Sequence, residues 1–159
     1  MNIKIHPFIE NDIKDLIKLT ILAFEPIFNS FEKILGPRIY PVIYPEWRKI
    51  QKEGVENISR NKKISLWVAA VDEHVVGFIA YELYDESTAE VQMLAVHPEY
   101  QNQGIGTQIN IFVLKKLKEC GMKMAIVSTG GDESHAPARR SYEKAGYTAL
   151  PLVKYYQDL

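Results

Sequence analysis

The chain has 159 residues, 47% hydrophobic and 25% charged, a balance that supports one buried core, predicts a single domain over 1–159 and argues against disorder. Nineteen basic and 20 acidic residues leave a formal charge of -1. The broad positive field needed for non-specific nucleic-acid binding is therefore missing, and no nucleic-acid partner is expected.

The chain opens Met1-Asn-Ile-Lys-Ile-His-Pro7, without the positive lead and apolar run of a signal peptide. No later stretch approaches about 18 consecutive apolar residues, so a cytoplasmic protein with no membrane partner is expected. Ile3 to His6 suits a short strand. Ile13, Leu16, Ile17, Thr20, Ile21 and Phe24 then recur at helical spacing behind a cap from Asn11 or Asp12. Pro26, Pro37, Pro41 and Pro45 punctuate an aromatic stretch of Phe28, Phe31, Tyr40, Tyr44 and Trp47, which predicts short helices and turns in place of one long rod. Those rings serve either acceptor recognition or the covering of a core. A further helix is expected from about Pro45 toward Arg60.

Ile64 to Val71 and Val75 to Tyr84 are β-rich runs around Asp72-Glu-His74, a hairpin signature, with Gly77 placed to allow a bulge. Ala89 to Val96 continues the series as an antiparallel meander. Ile105, Ile109, Phe112, Val113 and Leu117 predict a helix stopped by Gly121, and Met124 to Ser128 a strand reached by crossover and so parallel to residues 89–96. Pro137 to Lys144 suits a short helix ended by Gly146, and Leu152 to Tyr156 a last strand. Cys120 is alone, so no intrachain disulfide forms, and it reads as a packing residue. The four histidines lack ligand spacing, so no metal is expected.

The segment Leu94-Ala-Val-His-Pro-Glu-Tyr-Gln-Asn-Gln-Gly-Ile-Gly-Thr107 runs from an apolar strand through a glycine-bearing turn into a helix. Free N–H groups at such a helix start, with Gly104 and Gly106 permitting close approach, form a cradle for phosphate. No lysine follows Gly106, which excludes a P-loop, and Ile109 occupies the place of a dinucleotide motif's third glycine. An ordinary helix start with two turn glycines remains the plain alternative.

Gln101-Asn-Gln-Gly-Ile-Gly106 resembles the Gln/Arg-x-x-Gly-x-Gly/Ala motif of the GNAT superfamily of acetyl-CoA-dependent N-acetyltransferases. His135-Ala-Pro-Ala-Arg-Arg-Ser-Tyr-Glu-Lys-Ala-Gly-Tyr147 resembles the family's later helix, which ends in Tyr-Glu-Lys-x-Gly-Phe/Tyr. The resemblance implies an α+β fold, a mixed and largely antiparallel central sheet flanked by helices. In it a splayed parallel strand pair opens the cleft for acetyl-CoA as cosubstrate.

It further implies that the strand Leu94, Ala95, Val96 holds the pantetheine arm through its backbone, and that Gln101, Asn102, Gln103, Gly104, Ile105, Gly106 and Thr107 hold the pyrophosphate. His135 stands where the family usually has Asn, and histidine is larger and switches charge near neutrality, so a pH-sensitive cofactor affinity is expected. By the same resemblance Tyr142 is a general acid beside the thioester sulfur, and Glu90 a general base acting directly or through water. Strict alternation would put Glu90 and Gln92 on one face with Leu94 and Val96. Arg139 and Arg140 either reach the adenosine phosphate or form a solvated face, and Glu143 and Lys144 serve helix-end electrostatics. The expected activity is acetyl transfer to a small-molecule amine, with a possible homodimer. A protein or peptide amine, a longer acyl group, and a catalytically silent acyl-CoA sensor are the alternatives.

Overall fold

The computed structural model describes residues 1–159. In chain order it forms β1 (Lys4–Pro7), α1 (Ile13–Ile43), α2 (Trp47–Arg60), β2 (Ile64–Val71), β3 (His74–Leu83), β4 (Thr88–Val96), α3 (Ile105–Glu119), β5 (Met124–Val127) and α4 (Ala136–Lys144). The strands make one sheet in sequence order, antiparallel from β1 to β4 and parallel between β4 and β5. This is the α+β architecture that the order of periodicities implied.

Each sheet face has its own core. Against one, α3 lays Ile105, Ile109, Val113 and Leu117 onto Ala69, Val76, Ile79, Tyr81 and Val91. Full burial of the four α3 side chains contributes about 2 kcal/mol each before the entropy of ordering is counted. Gly77 lets α3 approach: a Cβ there would meet the Ala95 carbonyl at 3.0 Å and Ile109 at 3.1 Å. Against the other face, Leu16 and Leu19 of α1 and Val55 of α2 cover Val68, Phe78, Ala80 and Ala95.

Three expectations need correction. The proline-rich stretch is helical from α1 into α2, and Pro26 lies inside the first long run, its cost offset by burial of Leu16, Leu19 and Phe28. The one break within α1 is at Gly36, whose φ of 73° is left-handed, and Pro37 then starts a new helical segment. Leu152 to Tyr156 forms no strand: Leu152, Val153 and Tyr155 are exposed, and the segment lacks the half-buried surface on which β-propensity depends. Its end is instead tied to α1 by an ion pair between Arg38 and Asp158 at 2.5 Å. Cys120, at the end of α3, is exposed and lies outside the core. No helix is long and apolar enough to cross a membrane.

Candidate active site

The site begins with an irregularity in β4. Ala80 pairs with Met93 while the next residue, Tyr81, pairs with Val91, so Gln92 is an extra, bulged residue. The bulge reverses the facing of everything before it. Ala89, Val91, Leu94 and Val96 lie on the α3 side, whereas Met93 and Ala95 lie on the α1 and α2 side. Glu90, opposite Glu82, shares the face of Met93 and Ala95 and not that of Leu94 and Val96, which corrects the reading from strict alternation.

Beyond the bulge β4 has a free edge. The His97 N–H bonds to the Val76 carbonyl at 2.8 Å, and alternation of bonded pairs turns the main-chain groups of Leu94 and Val96 away from β3. Pairing with β5 ends at Val91 and Val127, so no strand meets them there. The Gln101 side chain covers the Val96 carbonyl at 2.9 Å. The Leu94 N–H and C=O and the Val96 N–H face the gap between the splayed strands, where an extended amide-bearing chain can pair as a strand would.

At the mouth of the gap stands the start of α3. Asn102 (φ 60°) and Gly104 (φ 84°) make the left-handed turns that aim it. The first intrahelical bond runs from the Gln108 N–H to the Gly104 carbonyl at 3.0 Å, so the N–H groups of Ile105, Gly106 and Thr107 are free for an anion. Gly106 has another task. A Cβ there would meet Ser141 Oγ at 2.9 Å, so its missing side chain seats α4 on α3. Buried Asn110 completes the joint, donating to the Gly106 carbonyl at 2.9 Å and Ser141 Oγ at 3.2 Å. Gln103 braces the turn by donating to the Glu99 carbonyl at 2.9 Å.

The loop from β5 to α4 closes one side. Asp132 accepts hydrogen bonds from Ser30 of α1 at 2.7 Å and from Ser134, and its Oδ1 lies 2.5 Å from His135 Nδ1. Burial pushes the Asp132 carboxyl up, but hydrogen bonds from Ser134, Ser30 and His135, with the charge of His135, prevail and hold it at about 2. Arg139 donates to the carbonyls of Gly130 and Asp132, both at 2.7 Å, so it organises the loop. The His135 ring also stacks on Phe31, centroids 5.6 Å apart.

These elements enclose a cavity of about 560 Å³. Leu94, Ala95, Val96, Gln101, Asn102, Gly104, Ile105, Gly106, Thr107, His135 and Tyr142 all line it. Gln103 and Glu90 do not. Tyr142 is buried, and that burial, with the Tyr147 phenol beside it, raises its pKa further above the ordinary phenol value. It is therefore protonated at neutral pH, as an acid must be. Arg140 and Lys144 bring positive charge to the wall, which separates Arg140 from Arg139 and gives Lys144 a place beyond helix-end electrostatics.

Sequence reasoning missed the opposite wall, made by Ala23, Phe24, Pro26 and Ile27 of α1 and Gln51 of α2. The aromatic rings it singled out are packing: Phe28 stacks on Trp47 at 4.4 Å and Phe31 on Tyr44 at 5.3 Å, and none of them lines the cavity. The signal for Gln51 lay in the spacing of α2, where it takes an apolar-stripe position between Trp47 and Val55.

A family model described as "Acetyltransferase (GNAT) family" matches residues 28–147. Mycothiol acetyltransferase of Thermomonospora curvata is 29% identical over 93 residues, 58% of this chain and 31% of that protein. The chain thus spans about a third of that relative's length. The structure of PaiA N-acetyltransferase from Thermoplasma acidophilum in complex with coenzyme A superposes with a TM-score of 0.70 at 19% identity, covering 94% of this chain and 92% of that one. An aminoglycoside acetyltransferase from an uncultured soil metagenomic sample, in complex with trehalose, gives 0.62 at 24% identity over 99% and 96%. At these identities the two structures speak for the fold.

Proposed function

The chain belongs to the acetyltransferase (GNAT) family, and on that premise we propose that it transfers the acetyl group of acetyl-CoA to a primary amine of a small molecule, by direct attack in a ternary complex. The observation that carries this reading is the convergence, in one cavity, of the unpaired Leu94 and Val96 edge, the open N-terminus of α3 and the Tyr142 phenol.

The residues present suit acetyl-CoA. Main-chain N–H groups of Ile105, Gly106 and Thr107, with Arg140 and Lys144, suit its phosphates. The Leu94 and Val96 edge suits the pantetheine amides. The Leu94 N–H polarises the thioester carbonyl and steadies negative charge that grows on its oxygen as the amine nitrogen bonds to the carbonyl carbon. When the carbon–sulfur bond breaks, Tyr142 gives its proton to the departing sulfur. The amine's surplus proton leaves through water, with Glu90 as its receiver from outside the cavity wall. His135 Nδ1 is engaged by Asp132, which holds the ring against the cofactor channel.

The absence of a carboxylate from the cavity wall also favours a second reading, an acyl-CoA sensor without turnover. Release of free CoA from acetyl-CoA in the presence of a panel of amines decides between them. In the transferase, Tyr142→Phe lowers kcat by about 10²-fold or more and leaves acetyl-CoA affinity within a factor of two or so. Tight acetyl-CoA binding without CoA release on any amine overturns the transferase in favour of the sensor.

A further inference from the structure

The acceptor end of the cavity carries information on what it admits. Gln51 lies inward on α2, and its Oε1 is shielded from solvent without a hydrogen-bond partner. A buried carbonyl oxygen left unpaired is costly, and the cost is recovered when the carboxamide turns into the cavity to meet a ligand's N–H or O–H donor. Ala23, Phe24, Pro26, Ile27 and Met93 line the same cavity, and a Cβ at Gly54, one turn further along α2, would meet Met93 at 3.8 Å.

No aspartate or glutamate lines any part of this cavity. Glu25, the carboxylate set within the apolar α1 stretch, is turned to Arg48 at 2.6 Å, and Glu90 stands outside the wall. A molecule with several ammonium groups would therefore press charge against apolar side chains with nothing to compensate it.

Resting on the transferase reading, we propose that the acceptor is a monoamine, one primary amine on an uncharged and largely apolar body, and that the Gln51 carboxamide oxygen accepts a hydrogen bond from it. Gln51 is then a specificity residue, which a carboxylate in its place would retune toward polycations.

The test compares 2-phenylethylamine and n-hexylamine with spermidine and kanamycin, reading both CoA release and calorimetric binding of each amine to the CoA-saturated protein. The monoamines are expected to exceed the polycations in kcat/KM by tenfold or more. Gln51→Leu should weaken monoamine binding about tenfold, with acetyl-CoA affinity unchanged and the thermal midpoint of the amine-free protein no lower, since the unpaired oxygen is gone. Gln51→Glu should narrow or reverse the preference. Preferred turnover of spermidine or kanamycin overturns the assignment and leaves the transferase standing. Monoamine binding that weakens in Gln51→Leu but is never accompanied by CoA release supports the pocket and overturns the transferase. Monoamine binding indifferent to Gln51→Leu, or no amine binding at all, overturns the assignment.

Discussion

Among single residues, Asp132 ties α1 to the loop before α4: Ser30, Ser134, His135 and Arg139 all meet on it. Its carboxyl falls from 3.8 to about 2 on folding. A depressed carboxylate contributes stability above its unfolded pKa and loses it as pH drops through the folded one. The contribution is thus whole above about pH 5, fades toward pH 2, and amounts to about 2 kcal/mol. Asp132→Asn should lower the thermal midpoint at pH 7 by about 4–8 °C and flatten the acid limb of the stability curve, both measurable by calorimetry. His135, its partner, was identified in sequence by its departure from the family's Asn, and nothing in the sequence named Asp132 as the reason it is held. If the His135 ring shapes the cofactor channel's affinity, His135→Asn will change the pH profile of acetyl-CoA binding. An unchanged profile by titration calorimetry counts against that role.

At the level of elements, the joint between α3 and α4 supports both the open N-terminus of α3 and Tyr142. Gly106→Ala forces a methyl against Ser141 Oγ, an overpacking cost of about 1–3 kcal/mol in thermal or urea unfolding. Ser141→Ala in the same chain should recover most of it, since the next contact, Ser141 Cβ, would lie at 3.6 Å. A double variant no better than the single one would place the strain elsewhere. The glycine was legible from its motif, but its contact with a residue on α4 was not, since spacing along a chain carries no distance between helices. The bulge at Gln92 was hidden for a similar reason. A bulge is a mismatch between two strands, visible only once Tyr81 and Ala80 are seen to pair with Val91 and Met93. The meander, the α3 helix and the parallel crossover were readable because hydrophobic period and short turns are local properties.

Over the whole molecule, a formal charge of -1 conceals an uneven distribution. The cavity wall carries Arg140 and Lys144 and no carboxylate, so its field favours a polyanionic cofactor although the chain as a whole is nearly neutral. Removing both charges with Arg140→Gln and Lys144→Gln should weaken acetyl-CoA binding by about tenfold or more at low salt and flatten its dependence on ionic strength. The last residues were misread as a strand because apolar, β-branched composition records what a segment could cover, while its position depends on surface elsewhere in the fold. One further property follows from the seat of α4 on Gly106. Ser141 touches the cradle's own helix, and the residue bonded to it is Tyr142, so the two ends of the cofactor channel are fixed to a common rigid scale. On the proposed reading the pair would act as a caliper for the length between phosphate and sulfur, and a thioester carried on a shorter or longer arm would bring its sulfur out of register with the phenol.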